Sequence, residues 1–226
     1  MSLNYVERID DRVKVRNVIV SVSNKAGLST FIPGLMEVNP DVRFYSTGGT
    51  LKVLAEILGR KLAAKRLVAI SDYTGQPEMQ GGLVKTLDFK IYLGLLGETY
   101  NDAHADDIKR VGGVAFDMVV ANLYPFRETI AKADTTAETA RANIDIGGPC
   151  MVRAAAKNFI RVASVVDPAD YGRILKDLVK GDGCTTLRLR FDLARKAFAH
   201  TAEYDAAIAK YLAERDFASV QGLYRV

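Results

Sequence analysis

The sequence predicts an α/β fold in which a parallel β-sheet carries helices on both of its faces. Short runs rich in β-branched residues alternate with longer segments whose apolar residues recur at helical spacing. Loops containing glycine, serine, threonine or asparagine separate the two kinds of segment. Strands that alternate with helices imply crossover connections and a parallel sheet. In such a sheet, ligands bind beyond the carboxyl ends of the strands.

The order of these segments predicts the individual elements. Continuous β-branched runs, typical of strands buried on both faces, predict strands at 16–22, 42–45, 66–70, 118–122 and 161–166. Apolar spacing predicts helices over 28–36, 51–58, 102–110, 135–142, 174–179 and 187–212. Gly59 is the expected end of the second helix. The apolar segment 90–96 fits a helix or a strand equally well.

The composition is that of one globular domain. The chain has 226 residues, of which 49% are hydrophobic and 26% charged, and this is enough for one α/β domain with a full core. We therefore expect a single domain over 1–226, with a core at about 15–170 and a helical extension at about 171–226.

Charge and cysteine usage exclude several classes of protein. The net charge is +4 with mixed signs along the chain, whereas a dedicated nucleic-acid binder gathers its basic residues on one face or tail. A modest positive excess suits a phosphorylated small substrate. The two cysteines, Cys150 and Cys184, and the two histidines, His104 and His200, lack the spacing of a disulfide framework or a metal site. No apolar stretch reaches the ~20 residues that span a bilayer, and no signal-peptide core is present, so we expect a cytoplasmic protein without membrane or nucleic-acid partners.

Two loops after the first two predicted strands have the composition of phosphate-binding turns. The first loop holds Ser21, Ser23, Asn24 and Lys25, and the second is Thr47-Gly48-Gly49-Thr50. Hydroxyls, an amide, a cation and the backbone N–H groups of paired glycines suit a phosphate or ribose hydroxyls. Each loop is equally compatible with an ordinary capped turn, since serine and asparagine favour helix N-termini without any ligand.

The most informative stretch runs from Ile144 to Asn158, where a loop with a carboxylate and two glycines leads into an alanine-rich helix. Pro149 suits the first helical position, and a helix N-terminus attracts anions. Asp145 is either a functional carboxylate or a cap, and Lys157 is either a functional cation or a favourable charge near the C-terminal end. A straight helix puts Lys157 about 12 Å from Pro149. For Lys157 to act at the N-terminus of this helix, its side chain must reach back, the helix must depart from ideal geometry, or the lysine must come from another subunit.

Two further segments carry candidate residues. Lys85 and Thr86 follow a glycine pair, while Asn122 and Tyr124 end the fourth predicted strand. A solvated lysine and a strand-end turn are structural interpretations that stay open beside the functional ones. The functional interpretation gains weight because all of these loops fall at the carboxyl edge of the predicted sheet.

A series of longer motifs allows a comparison with a known family. The segments SVSNKAG, STGGT, SDYTGQPEMQGGLVKTL, NLYPF, NIDIGGPCMVRAAAKN, DPADY and KAFAHTAEYDAAI occur in this order over about 15–212. They resemble, in sequence and order, the inosine-monophosphate cyclohydrolase domain of the bifunctional purine biosynthesis proteins. The resemblance implies a methylglyoxal-synthase-like fold, with a parallel sheet, helices on both faces and a helical C-terminal extension. The folate-dependent transformylase domain that usually follows is absent from this sequence.

The resemblance also implies an activity and roles for residues. The implied reaction is the dehydrative ring closure of 5-formamidoimidazole-4-carboxamide ribotide to inosine monophosphate, without metal or cofactor. The implied enzyme is a homodimer, and a separate transformylase would supply its formylated substrate. Lys85 resembles the lysine near the developing oxyanion, and Asp145 and Lys157 resemble the pair for proton transfer. The expected catalytic residues are Lys85, Tyr124, Asp145 and Lys157, and the expected substrate-binding residues are Ser21, Ser23, Asn24, Lys25, Thr47, Gly48, Gly49, Thr50, Thr86, Asn122, Ile146 and Gly147.

The chain departs from the family pattern at a few positions. Leu83 replaces the arginine among the nucleotide contacts, Asp88-Phe89 replaces a His-Pro pair, Tyr92 replaces a histidine, and Asn24 stands where aspartate is common. Leucine cannot supply the paired, charge-assisted donors of arginine. We therefore expect weaker substrate binding or a different substrate unless another cation, such as Lys90, compensates.

Two other functions remain open at this point. A non-catalytic nucleotide-sensing module, similar to the regulatory domain of carbamoyl-phosphate synthetase, is favoured by the altered segment 83–89. Methylglyoxal synthase itself is disfavoured by the helical tail from about 187 and by the NIDIGGP motif.

Overall fold

The computed structural model describes residues 5–76 and 86–225. In chain order its elements are β1 (Arg12–Lys14), β2 (Asn17–Val22), α1 (Leu28–Val38), β3 (Arg43–Ser46), α2 (Gly48–Arg66), β4 (Leu67–Ala69), α3 (Ile70–Thr74), α4 (Phe89–Leu96), α5 (Asp102–Arg110), β5 (Met118–Asn122), α6 (Phe126–Ile130), α7 (Ala137–Ala142), α8 (Gly147–Lys157), β6 (Ala163–Val165), a 3-10 turn (Pro168–Asp170), α9 (Tyr171–Lys180), β7 (Cys184–Thr186), α10 (Leu187–Ala213) and α11 (Phe217–Gln221).

The predicted parallel sheet is confirmed. Five strands lie in the order β4-β3-β2-β5-β6, and every neighbouring pair is parallel. The central strand β2 places Val20 opposite Ser46 on one side and Val120 on the other. Because β2 and β5 are covered on both faces, they are continuous apolar runs rather than alternating ones. The loops after β2, β3 and β5 consequently meet at one edge.

Helices cover both faces of the sheet. Alternate residues of β2 divide between two hydrophobic clusters: Val18 and Val20 face α1, α2 and α9, and Ile19 faces α4 and α8. Helix α10 contributes to both clusters, with Leu193 in the first and Ala197 in the second. The helical segment predicted from about 171 onward therefore packs into the same core as the sheet. The division of the chain into core and extension stays a prediction.

Some predicted elements needed correction. The strand predicted at 66–70 is limited to Leu67–Ala69, because helix α3 starts at Ile70. The ambiguous segment 90–96 is a helix, α4. Gly59 does interrupt its helix, with φ 69° and ψ 160°, but helical structure resumes after it as far as Arg66.

The pairing of β1 with β7 was not predicted. These three-residue strands pair antiparallel, with Arg12 opposite Thr186 and Lys14 opposite Cys184. Strands this short leave no periodicity in the sequence, since only a residue or two of each faces the protein. None of the helices in residues 5–76 and 86–225 combines the length and the apolar character that crossing a membrane requires.

Candidate active site

A cavity of about 480 Å³, the edge cavity, opens at the carboxyl edge of the sheet. It lies between the loops that follow β2, β3 and β5 and the N-terminus of α8. Its lining residues are Ser21, Val22, Ser23, Lys25, Thr47, Gly48, Gly49, Thr50, Thr86, Asn122, Tyr124, Ala142, Ile144, Asp145, Ile146, Gly147, Gly148 and Met151. Among the described residues, the structure thus brings together every predicted site residue except Asn24 and Lys157.

One end of the edge cavity is suited to an anion. Helix α2 begins at Gly48, whose φ of 49° lies in the left-handed region that favours glycine. Lys25 extends toward this turn: its Nζ donates to the Ser23 carbonyl at 3.1 Å, and its Cε lies 3.9 Å from where a Cβ on Gly49 would be. A lysine ammonium beside the free N–H groups of a helix start has the charge and the donors that suit a phosphate-like group.

Two of the predicted binding residues have their polar atoms engaged within the protein. The hydroxyl of Thr50 accepts from the Val22 N–H at 3.2 Å and donates to the Val22 carbonyl at 3.0 Å. The Asn122 amide accepts from the Asn24 N–H at 2.8 Å and donates to the Asn24 carbonyl at 2.9 Å. These bonds hold the loop after β2 against its neighbours, so Thr50 and Asn122 shape the edge cavity from its walls.

Asn24 does not line the edge cavity. Its side-chain oxygen accepts from the Ala26 N–H at 2.9 Å, within its own turn. It lies instead on the wall of a neighbouring cavity described below. Its predicted binding role stays a prediction.

Asp145 also lines the edge cavity and lies beside the start of α8. Its Oδ1 accepts from the Gly148 N–H at 2.9 Å, and it also accepts from the backbone N–H of Tyr124. Burial raises the pKa of the Asp145 carboxyl, and these two hydrogen bonds oppose that rise. Asp145 is therefore both a helix cap and a partly buried carboxylate that faces a cavity.

The two glycines after Asp145 are required by close packing. A Cβ on Gly148 would lie 2.5 Å from Oδ2 of Asp145 and 2.8 Å from Cδ2 of Leu123, while a Cβ on Gly147 would lie 2.5 Å from Oγ1 of Thr86. Thr86 is buried, so its hydroxyl lies directly against the helix start. Helix α8 begins at Gly147, which puts Pro149 third in the helix rather than first as predicted. Pro149 still falls among the first N–H positions, which lack intrahelical partners.

The rim of the edge cavity is apolar and open. Tyr124 is 52% exposed and Ile146 is 56% exposed. Exposed large apolar groups beside a polar cavity suit the flat face of a heterocyclic base.

The structure does not bring Lys157 to the edge cavity. Lys157 is the last residue of α8 and is exposed, ten residues along the helix from Gly147 and thus about 15 Å from its start. Its proton-transfer role stays a prediction. Lys85 and Leu83 lie outside the described residues, and Thr86 is the first described residue after them.

The altered segment has a structural role at its described end. Asp88 caps α4 by accepting from the Lys90 N–H at 2.8 Å. The Lys90 ammonium donates to the Tyr73 carbonyl at 2.8 Å and lies 4.5 Å from the centre of the Tyr73 ring. Lys90 is not among the residues that line the edge cavity, so it does not supply the compensating cation proposed above.

A neighbouring cavity of about 800 Å³ shares Ser23, Asn122 and Tyr124 with the edge cavity. On its far side the ammonium of Lys196 bridges the carboxylates of Asp167, at 2.6 Å, and Asp170, at 2.8 Å. This ion-pair network connects the loop after β6 with α10.

His200, on α10, makes stability depend on pH. Burial lowers the pKa of His200 from its ordinary value of 6.5, although Glu203 and Asp167 oppose this and Lys196 adds to it. A base with a lower pKa in the folded state binds fewer protons there. The contribution of His200 to stability is complete above about pH 6.5 and is lost as the pH falls through that value toward the lower folded pKa.

We expect the unfolding free energy of His200→Phe to fall less than that of the wild type when urea titrations are carried out from about pH 8 down to about pH 5.5. Parallel pH curves for the two proteins would contradict this.

Tyr204 is a residue that the sequence analysis did not single out. It belongs to the KAFAHTAEYDAAI motif on α10, and its hydroxyl accepts from the backbone N–H of Asp145 at 2.8 Å. The motif itself was recognised, but nothing in the spacing of two residues 59 positions apart indicates this contact.

Within the described residues, no group of three or more His, Cys, Asp or Glu side chains is placed to hold a metal ion.

Comparison with known proteins shows the family to which the chain belongs. The model for the MGS-like domain matches residues 27–150, and the model for the AICARFT/IMPCHase bienzyme matches residues 155–224. The solved structure described as "Crystal structure of ForH" is similar to this chain, with a TM-score of 0.71 and 31% identity over 86% of this chain and 97% of that one.

Curated relatives carry the name bifunctional purine biosynthesis protein PurH. The protein from Magnetococcus marinus is 46% identical over 203 residues, which are 90% of this chain and 37% of the relative. The protein from Bacillus cytotoxicus is 47% identical over 200 residues, 88% of this chain and 37% of the relative. The chain therefore spans little more than a third of the length of these relatives.

Proposed function

This chain belongs to the family of MGS-like domains, and its residues 155–224 match the model of the AICARFT/IMPCHase bienzyme. From this premise we propose that it closes the purine ring of 5-formamidoimidazole-4-carboxamide ribotide to form inosine monophosphate. The names of the bienzyme family and of the bifunctional purine biosynthesis relatives support a role in purine biosynthesis. The single observation that carries the proposal is the partly buried carboxylate of Asp145, which lines the same cavity as the two loops that suit an anion.

The reaction makes one bond and releases one water molecule. The carboxamide nitrogen attacks the formyl carbon, and the formyl oxygen becomes an oxyanion. The carboxamide nitrogen and the formamide nitrogen each give up one proton, and both protons leave with the oxygen as water. The protein must therefore anchor the phosphate, stabilise the oxyanion and transfer protons.

The loops after β2 and β3 supply the phosphate anchor in this proposal. Lys25 and the N-terminal N–H groups of α2 lie at one end of the edge cavity, where they would hold the phosphate and fix the ribose. The base would then extend toward Tyr124 and Ile146 at the rim.

Asp145 is the proposed acceptor of the amide proton. A carboxylate whose pKa is raised by burial is a stronger base than a solvated one. The start of α8, where the backbone of Gly147 lines the cavity beside Thr86, is the proposed neighbour of the developing oxyanion, with Lys85 as the cation. Lys157 keeps its proposed role in proton transfer, which in this arrangement requires it to come from a second copy of the chain.

The activity is tested by mixing the purified chain with the formylated ribotide and following inosine monophosphate against the uncatalysed rate. We expect the chain to accelerate the reaction.

In the same assay Lys25→Met should raise KM about tenfold or more, since a hydrogen bond from a charged donor to an anion is lost. Lys52→Met, an exposed lysine on α2 that does not line the edge cavity, is the matched control and should leave KM unchanged.

The outcomes separate the candidate functions. Binding of inosine monophosphate without acceleration would overturn the enzyme and favour the nucleotide-sensing module, for which the altered segment 83–89 is the favouring observation. Equal KM values for the two lysine variants would overturn the phosphate anchor alone.

Two partners belong to the proposal. The substrate carries a formyl group, so a transformylase must act before this chain. A homodimer would supply Lys157 across subunits, and light scattering during gel filtration measures whether a dimer forms.

A further inference from the structure

We propose that Tyr204, on α10, is the positioning residue that holds Asp145 in its working orientation, an inference that rests on the proposed function. Its hydroxyl accepts a hydrogen bond of 2.8 Å from the Asp145 N–H and makes a longer contact of 3.4 Å to the Asn143 carbonyl. One side chain from α10 thus holds the backbone at the residue that carries the proposed reacting carboxylate.

The segment held by Tyr204 is short and lies between two helices. Helix α7 ends at Ala142 and α8 begins at Gly147, so residues 143–146 form a link with no regular structure. Within this link Asn143 and Ile144 bond back to the preceding turn, through the carbonyls of Ala140 and Arg141. The Asp145 N–H bonds forward to Tyr204 instead.

Asp145 is thereby fixed from both ends. Its N–H is held by Tyr204, and its carboxylate accepts from the Gly148 and Tyr124 N–H groups. With main chain and side chain both held, the carboxylate keeps a fixed position on the wall of the edge cavity, where its Oδ2 lies 2.5 Å from the place that a Cβ on Gly148 would take.

Tyr204 is itself held firmly. Its side chain is buried and its ring meets the edge of Phe126, with ring centroids 6.2 Å apart at an angle of 67°. Phe126 begins α6, two residues after Tyr124. The ring therefore packs against the loop that carries Tyr124, while the hydroxyl holds the loop that carries Asp145. Tyr204 fixes the distance between two residues that the proposed reaction uses.

The chain offers a matched control on the same helix. Tyr211 is also buried and its ring also meets the edge of Phe126, with centroids 5.9 Å apart. Within the described residues the Tyr211 hydroxyl has no hydrogen-bond partner. Tyr204→Phe and Tyr211→Phe remove the same atom from the same aromatic cluster, but only the first removes a bond to Asp145.

The test compares these variants in turnover. Tyr204→Phe should lower kcat about 10- to 100-fold, because a misplacement of about 1 Å at a reacting group can cost that much. KM should stay within about twofold, since the phosphate anchor lies on other loops. Tyr211→Phe should retain wild-type kcat and KM.

A double-mutant cycle separates positioning from a general structural role. If Tyr204 acts through Asp145, then adding Tyr204→Phe to Asp145→Asn should lower kcat by less than about threefold. A full 10- to 100-fold further loss in that background would overturn the proposal.

Hydrogen exchange measures the contact without any turnover. The segment 143–148 should exchange faster in Tyr204→Phe than in the wild type and in Tyr211→Phe. Unchanged exchange would overturn the role of Tyr204, as would equal kcat in the two tyrosine variants of an active enzyme. Absence of turnover in the wild type would instead overturn the proposed function.

Discussion

Asp145→Asn should slow ring closure by about 10²- to 10⁴-fold, the usual contribution of a general acid or base, while nucleotide binding changes little. The asparagine side-chain oxygen can still accept from the Gly148 N–H, as Oδ1 does now at 2.9 Å, so the start of α8 keeps its cap. The amide cannot take up a proton. Initial rates with the formylated ribotide and calorimetric binding of inosine monophosphate measure the two effects separately.

Asp216→Asn is the matched control for a capping role. Asp216 caps α11 by accepting from the Ser219 N–H at 3.0 Å, three residues ahead in the chain, as Asp145 does toward Gly148. It does not line the edge cavity, so its variant should turn over at the wild-type rate. If both variants kept that rate, Asp145 would be a cap and nothing more.

The pH profile gives a second reading of Asp145. Because burial raises the pKa of this carboxyl above its ordinary value of 3.8, kcat should fall on the acidic side at a pH higher than a solvated aspartate would give. Asp145→Asn should remove that acidic limb from the pH profile of the residual activity.

The raised pKa of Asp145 also affects stability, because a carboxyl with a raised folded pKa loses its contribution to stability as the pH rises through that pKa. The asparagine variant should therefore be at least as stable as the wild type at neutral pH.

Arg190→Met should lower the free energy of unfolding by about 3 to 5 kcal/mol, because it breaks a buried hydrogen-bond network. Arg190 is fully buried at the start of α10. Its guanidinium donates to the backbone carbonyls of Asp10, Asp11, Phe159, Ile160 and Thr185 at 2.7 to 3.0 Å, and to the Thr185 hydroxyl at 3.3 Å. Burial lowers the pKa of Arg190 to about 10, so the group stays charged at neutral pH. Methionine fills the space of the stem and leaves those carbonyls without their donor.

Arg188→Met is the control for the loss of an arginine from the same helix. The Arg188 side chain is 81% exposed and forms an ion pair of 3.2 Å with Asp192, one turn further along the helix. Exposed pairs of this kind contribute little, so its loss should change the unfolding free energy by less than about 1 kcal/mol. Urea denaturation measures both variants, and equal midpoints would contradict the role given to Arg190.

Several predictions from the sequence depended on local physics and are confirmed. The strand at Met118–Asn122 and the helix at Asp102–Arg110 have the predicted bounds. Uninterrupted β-branched runs suit the interior of a parallel sheet, and polar segments with helical spacing suit a surface helix. Gly59, the predicted end of the second helix, leaves the helical conformation because glycine adopts positive φ at little cost, but helical structure resumes after it as far as Arg66.

The sequence left elements undecided or missed them where the signal was short or depended on distant partners. Segment 90–96 is apolar on every side, so periodicity does not distinguish strand from helix there; the Asp88 cap decides for helix. The strands β1 and β7 are too short for a pattern of their own, and their pairing depends on Arg190, which binds both flanking segments.

By itself, the sequence determined the parallel sheet, the edge at which its loops meet and the family, since strand patterns and motifs are local features of the chain. Only the tertiary structure decided how those loops face one another. It placed Lys157 away from the edge cavity, engaged Lys90 with Tyr73, and brought Tyr204 to the backbone of Asp145. The physical reason is that such contacts join residues whose separation along the chain carries no periodic signal. The Tyr204 contact forms because the 27-residue helix α10 packs back against the sheet and buries its apolar residues in the core.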